Sequence, residues 1–151
     1  MQLFFLLLAA HICGDFLLYS PRLSSAKRVT GFKLRLKAVT IHCFFHSLII
    51  ILILWIAGYD FIFILQAALF ISILHFIIDV SRVYIESFIF NKKDFAILKR
   101  KDFISYITGN KNAECAPFME KYMKKWISIN LIDQGLHIGI ILMFLKLTFH
   151  E

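Results

Sequence analysis

Several signatures that announce a soluble enzyme are missing from this chain. It holds no Gly-rich phosphate loop, no nucleophilic serine motif and no CxxC pair. Nucleotide-loop, serine-hydrolase and dithiol chemistries therefore have nothing to start from. Its 3 cysteines, Cys13, Cys43 and Cys115, show no paired spacing. A disulfide framework is not expected, and small buried apolar side chains are. Proline is nearly absent, at 2 of 151 residues. No internal repeat or low-complexity tract occurs, so neither a solenoid array nor a biased linker is read. The opening run MQLFFLLLAAHICGDFLL lacks the basic stretch that precedes the apolar core of a secretory signal. Its basic cluster follows instead, and AAHIC is a poor cleavage site, so an uncleaved span is expected.

Apolar residues are abundant: 60% of the chain, with 17 phenylalanines, against about 45–50% in soluble domains. They gather into runs of about 18 or more, the length that crosses a bilayer as a helix. Four such runs lie at about 2–19, 39–58, 61–82 and 127–148. The expected architecture is all-α: one polytopic membrane domain, a bundle of four transmembrane helices, with a helical loop over about 91–126.

The net charge of +7 is a membrane signal and not a nucleic-acid one, because of where the charge sits. Arg22, Lys27, Arg28, Lys33, Arg35 and Lys37 lie between the first two spans. Lys92, Lys93, Lys99, Arg100, Lys101, Lys111, Lys121, Lys124 and Lys125 lie between the third and fourth. The link Gly58-Tyr59-Asp60 has no basic residue and is short enough to force an antiparallel hairpin. The positive-inside rule makes both basic loops cytoplasmic and both termini external. Anionic lipid headgroups are the partners such loops attract, at about 1 kcal/mol per charge. Tyr19, Tyr84 and Trp126 fall at inner span ends and Trp55 and Tyr59 at outer ends, as aromatic belts do.

In the loop, Asp94 is placed to cap a helix on which Phe95, Leu98, Phe103, Tyr106 and Ile107 recur among lysines, before Thr108-Gly109-Asn110 breaks it. Phe118, Tyr122 and Trp126 form a second stripe leading into the last span. An apolar face opposite a lysine face describes a helix lying in the membrane interface, preferred here over a lid on the bundle.

Every span also carries a pair of ionisable residues four apart, hence on one helical face: His11 and Asp15, His42 and His46, His75 and Asp79, Asp133 and His137. Given the span directions, all four pairs reach a similar depth in the cytoplasmic half of the bilayer. An ionisable group at that depth costs several kcal/mol unless it is paired or coordinated, so these groups are expected to face one another. Two arrangements satisfy them. One is a hydrogen-bonded polar core. The other is metal binding by His11, Asp15, His42, His46, His75, Asp79, Asp133 and His137, in the way that bundles build mono- and dinuclear sites. Imidazole with carboxylate suits Zn, Mn or Fe, as one or two ions. The eight candidates exceed the four ligands of a closed structural zinc. Asp15, Asp79 and Asp133, where not ligands, are candidate general bases. Gln134, Arg82 and Lys27 are weaker candidates for substrate contact, since snorkelling explains such cations equally well. Gly135 and Gly139 form a GxxxG that allows a homodimer.

These motifs, HxxxD in the first and third spans and DQxxH in the fourth, with Lys27 and a second-span histidine (His42 or His46), resemble domain of unknown function 3307. That is a family of small bacterial membrane proteins. The resemblance covers the four spans and leaves out the 91–126 loop. It implies a bacterial four-span protein with a shared polar site and carries no activity with it; the expected location is the bacterial inner membrane. The residues themselves point first to a metal-dependent intramembrane hydrolase acting from the cytoplasmic side on an anionic, lipid-linked or membrane-proximal substrate. Metal or proton transport, and a non-catalytic scaffold with a structural polar core, are the alternatives.

Overall fold

The computed structural model describes residues 1–17, 31–90, 100–109 and 114–149. Among them it is all helical: α1 (Gln2–Leu17), α2 (Phe32–Ile56), α3 (Phe61–Ile89), α4 (Arg100–Ile107) and α5 (Ala116–Phe149). Helix is what hydrocarbon demands, since it bonds every interior backbone N–H and C=O within one segment. With 25, 29 and 34 residues, α2, α3 and α5 are long and apolar enough to cross a membrane, which takes about 20. α1 is apolar and shorter, at 16 described residues. Large apolar side chains cover the outside of the helices, among them Phe44, Leu52, Leu69, Ile73 and Leu142. That much exposed apolar surface suits lipid and not water.

The hairpin between α2 and α3 is specified residue by residue. Gly58 takes a φ of 80°, which L side chains avoid. The turn closes with Tyr59 N–H bonding Leu54 C=O at 3.1 Å and Gly58 N–H bonding Trp55 C=O at 3.0 Å, a Schellman stop. Asp60 then caps α3, its carboxylate accepting from Ile62 N–H at 2.9 Å and Phe63 N–H at 3.4 Å. Tyr19, in the predicted inner belt, lies outside the described residues.

α1 packs against α2 and α5, and α3 packs against the same two helices, which closes a ring of four. Their inner faces meet in a core built on Leu7, Ala10, Leu54, Ile64, Ala67 and Phe144. Alanines on this face let the backbones approach closely. A second, smaller core lies where α3 and α5 outrun the predicted spans 61–82 and 127–148. Phe90, Cys115, Phe118 and Met119 are buried there, with Phe103 and Tyr106 of α4 and Tyr122 and Trp126 of α5 against them. Trp126, expected at an inner span end, is half-buried here. Its ring packs at a tilt against Phe103, with ring centroids 5.0 Å apart. Phe103 and Tyr106 of the first stripe pack with Phe118, Tyr122 and Trp126 of the second, while Ile104 and Ile107 on α4 are exposed. Asp94, Phe95 and Leu98 lie outside the described residues. None of the three cysteines is in a disulfide.

Candidate metal centre

Each helix of the ring buries one stripe, and that stripe changes character along its length. On α3 it runs Ile64, Ala67, Ala68, Ile71 and then His75, Asp79 and Glu86. On α2 it runs Leu54, Ile50, then His46, Cys43, Val39 and Arg35. On α5 it runs Phe144, Ile141, Ile140, then His137 and Asp133. Since the helices alternate in direction, the polar parts fall together.

All five imidazoles in question meet. Ring centroids are 4.4 Å apart for His42–His46 and for His46–His75, 4.2 Å for His75–His137 and 4.9 Å for His11–His137. Carboxylates interleave with them. Asp15 Oδ1 lies 3.2 Å from His46 Nε2 and 3.5 Å from His42 Nε2, and Asp15 Oδ2 lies 3.6 Å from His11 Nε2. Asp79 Oδ1 lies 3.8 Å from His137 Nε2 and 4.0 Å from His75 Nε2, while its Oδ2 lies 3.8 Å from His42 Nε2. The sixth histidine, His150, lies outside the described residues.

Most of these separations are too long for hydrogen bonds. Two ligands of one tetrahedral ion at about 2.1 Å sit roughly 3.4 Å apart, and the observed distances bracket that value. The Nε2 atoms of His46, His75 and His137 and the Oδ1 of Asp133 are buried without a hydrogen-bond partner. Burying such atoms unpaired costs about 1–3 kcal/mol each, so each is a position that a further partner would satisfy. Three groups of one carboxylate or more with imidazole, and one group of three imidazoles, have ligand atoms close enough to share an ion: Asp15 with His42 and His46, His42 with His75 and Asp79, Asp79 with Asp133 and His137, and His11 with His46 and His75.

The surrounding contacts aim these groups. His137 Nδ1 donates to the Asp133 backbone carbonyl at 2.8 Å. A carbonyl only accepts, so Nδ1 carries the proton and Nε2 presents a lone pair, as in metal-binding histidines. Arg82 Nη1 donates to Asp133 Oδ2, Nη2 to Asn130 Oδ1 at 2.7 Å and Nε to Glu86 Oε1 at 3.0 Å. Asn130 is itself held by the Trp126 carbonyl at 2.7 Å. Arg82, read from sequence as a snorkelling or phosphate-orienting cation, is here the clamp on Asp133. Gln134 bridges α5 to α1: its Oε1 lies 3.2 Å from His11 Nε2, and its Nε2 donates to Asp15 Oδ2 at 3.2 Å. It too is tied to the candidate ligands. Lys27 and Arg22 lie outside the described residues.

Gly14 is a further site residue that spacing did not reveal. A Cβ there would lie under 3.0 Å from three atoms of the His46 ring, so the ring occupies the space a side chain would need. The only signal was a glycine inside an apolar helix, between His11 and Asp15. Gly135 and Gly139 are the opposite case. Both are exposed on α5 and a Cβ at either would meet nothing within 4 Å.

Beyond the imidazoles the bundle closes. A cavity of about 10 Å³ has His11, His46, His75 and His137 on one side and Leu7, Ile50, Ile71, Ile140 and Ile141 on the other. That is room for about one water or one ion.

The family described as Protein of unknown function (DUF3307) has a model that matches residues 3–151. The chain belongs to this family. The matched range takes in the 91–126 loop as well as the helices, where the resemblance read from the motifs covered the spans alone. Comparison with curated proteins and with solved structures finds no match.

Proposed function

We propose that this protein is a metal-dependent membrane hydrolase. Its centre, in this reading, binds Zn, Mn or Fe and works from the cytoplasmic side on an anionic, lipid-linked or membrane-proximal substrate. The observation that carries the reading is the set of buried, unpartnered Nε2 atoms of His46, His75 and His137, together with Asp133 Oδ1. A polar core selected for cohesion alone would pair these atoms with one another. Buried nitrogen and carboxylate atoms with open positions are what a cation requires, and imidazole with carboxylate favours these transition metals over Mg or Ca.

A bound metal supplies a hydroxide near neutral pH and polarises a phosphoryl or acyl oxygen. In ester hydrolysis a carboxylate of the centre that is not a ligand would take the attacking water's proton and return it to the leaving oxygen as the ester bond breaks. Where it is not a ligand, Asp15 is the candidate general base, because its side chain is the most accessible of the three carboxylates, at 28% exposure against 8% for Asp79 and 4% for Asp133. α1 is taken as the fourth span. The basic loops set the orientation, with both termini outside the cytoplasm of a bacterial inner membrane.

Transport would need a route onward from the centre. The aliphatic wall behind the imidazoles, Leu7, Ile50, Ile71, Ile140 and Ile141, argues for a dead-end site. Elemental analysis of protein purified in detergent is expected to find at least one equivalent of transition metal, reduced in Asp133→Asn, together with metal-dependent ester hydrolysis. Metal below one equivalent in both proteins rules the reading out. Metal-driven flux in liposomes would transfer the site to transport.

A further inference from the structure

We infer that the centre is dinuclear, with Asp79 as the carboxylate between two ions; this rests on the metal-binding reading above. An imidazole Nε2 can bind one ion only, so groups that share an imidazole cannot be filled together. The trio Asp15, His42 and His46 shares no residue with the trio Asp79, Asp133 and His137. The first comes from α1 and α2 and the second from α3 and α5. Among the groups that hold a carboxylate these are the two that share no residue, and they divide along the bundle into two ligand sets, each drawn from two neighbouring helices.

His75 and His11 complete the division. The His75 ring is 4.2 Å from that of His137, and its unpartnered Nε2 is 4.0 Å from Asp79 Oδ1. Its ring is also 4.4 Å from that of His46, and its ligand atom groups with His42 and Asp79, so it stands between the sets and on the α3 side through Asp79. His11 Nε2 lies 3.6 Å from Asp15 Oδ2 but also 3.2 Å from the Gln134 amide oxygen. It joins the α1/α2 set once that amide turns away.

Asp79 links the sets because its two oxygens look different ways. Oδ1 faces His75 and His137 in one set, and Oδ2 faces His42 in the other, at 3.8 Å. Asp133 contributes only one oxygen, since Arg82 holds Oδ2 and leaves Oδ1 buried and unpartnered. Two ions about 3.5–4 Å apart, the spacing of two-metal hydrolytic sites, fit a carboxylate that spans neighbouring ligand sets.

The test uses the full-length chain in detergent, loaded separately with Zn and with Mn and then freed of excess ion. The expected result is two equivalents per chain, and for Mn a spin-coupled electron paramagnetic resonance spectrum. His42→Ala and His137→Ala, which each remove one set, are each expected to retain one equivalent, with the Mn spectrum reverting to an isolated six-line signal. Saturation of the unaltered protein at one equivalent, with an uncoupled Mn spectrum, overturns the dinuclear inference and leaves metal binding intact. Loss of all metal from either variant, with its helix content preserved, overturns it too, since the two sets would then be one. No retained metal in the unaltered protein overturns both readings.

Discussion

The two halves of the bundle are made by the same four helices and follow different rules. In the half built on Leu54, Ile64, Ala67 and Phe144 the buried stripe holds aliphatic and aromatic volume. Any side chains that fill it to similar density would serve. In the half built on His46, His75, Asp79, Asp133 and His137, the buried stripe holds groups that each need a particular partner. A chain that only had to cross the membrane could carry the first kind of stripe along its whole length. That all four helices switch at one level is the mark of a site.

Substitutions in the two halves should separate these rules. The largest effect is expected from Arg82→Ala. It strips Asp133 and Glu86 of their cation, and breaking such a buried pair costs about 3–5 kcal/mol. Because Arg82 aims a candidate ligand, metal affinity should also fall about 10–100-fold. Unfolding in mixed detergent and metal titration read the two effects. Leu54→Ala, at a side chain with 0% exposure, is expected to cost about 3 kcal/mol through the cavity it leaves, with metal content unchanged. Loss of metal in that variant would erase the distinction between the halves.

The glycines give the next contrast. Gly14→Ala is expected to destabilise by about 1–3 kcal/mol, as overpacking does, and to lower metal content by displacing the His46 ring. Gly139→Ala, with nothing near its Cβ position, should be neutral or stabilising by up to about 1 kcal/mol. A large loss at Gly139, accompanied by a change in oligomeric mass, would point to a second copy packed on that face. The smallest effect is expected from Ser47→Ala, which removes the hydroxyl pair between Ser47 on α2 and Ser72 on α3. Hydrogen bonds between membrane helices average about 0.6 kcal/mol, and thermal unfolding should register no more than that.

What could be read from sequence divides along the same line. His11 and Asp15, or Asp133 and His137, are legible because a spacing of four puts two groups on one helical face whatever the neighbours are. Their common depth follows from span direction, which the basic loops report. The helix ends were less legible, because α3 and α5 continue past the apolar runs. Neither the clamp on Asp133 nor the role of Gly14 could be read. Arg82 and Asp133 are 51 residues apart, and an arginine at a span end looks the same whether it reaches water or a buried carboxylate. Gly14 matters only because a ring from another helix lies on it. The stripes at Phe103 and Tyr106 and at Phe118, Tyr122 and Trp126 were visible as amphipathic faces. Whether such a face meets lipid or another face is decided by the second face.

The most direct measurement is X-ray absorption at the metal edge of the Zn-loaded protein in detergent. Coordination by this centre predicts a nitrogen and oxygen shell at about 2.0–2.1 Å with the outer-shell scattering that several imidazole rings produce. A shell of oxygen alone, without imidazole scattering, would place the ion elsewhere and contradict the assignment of these histidines.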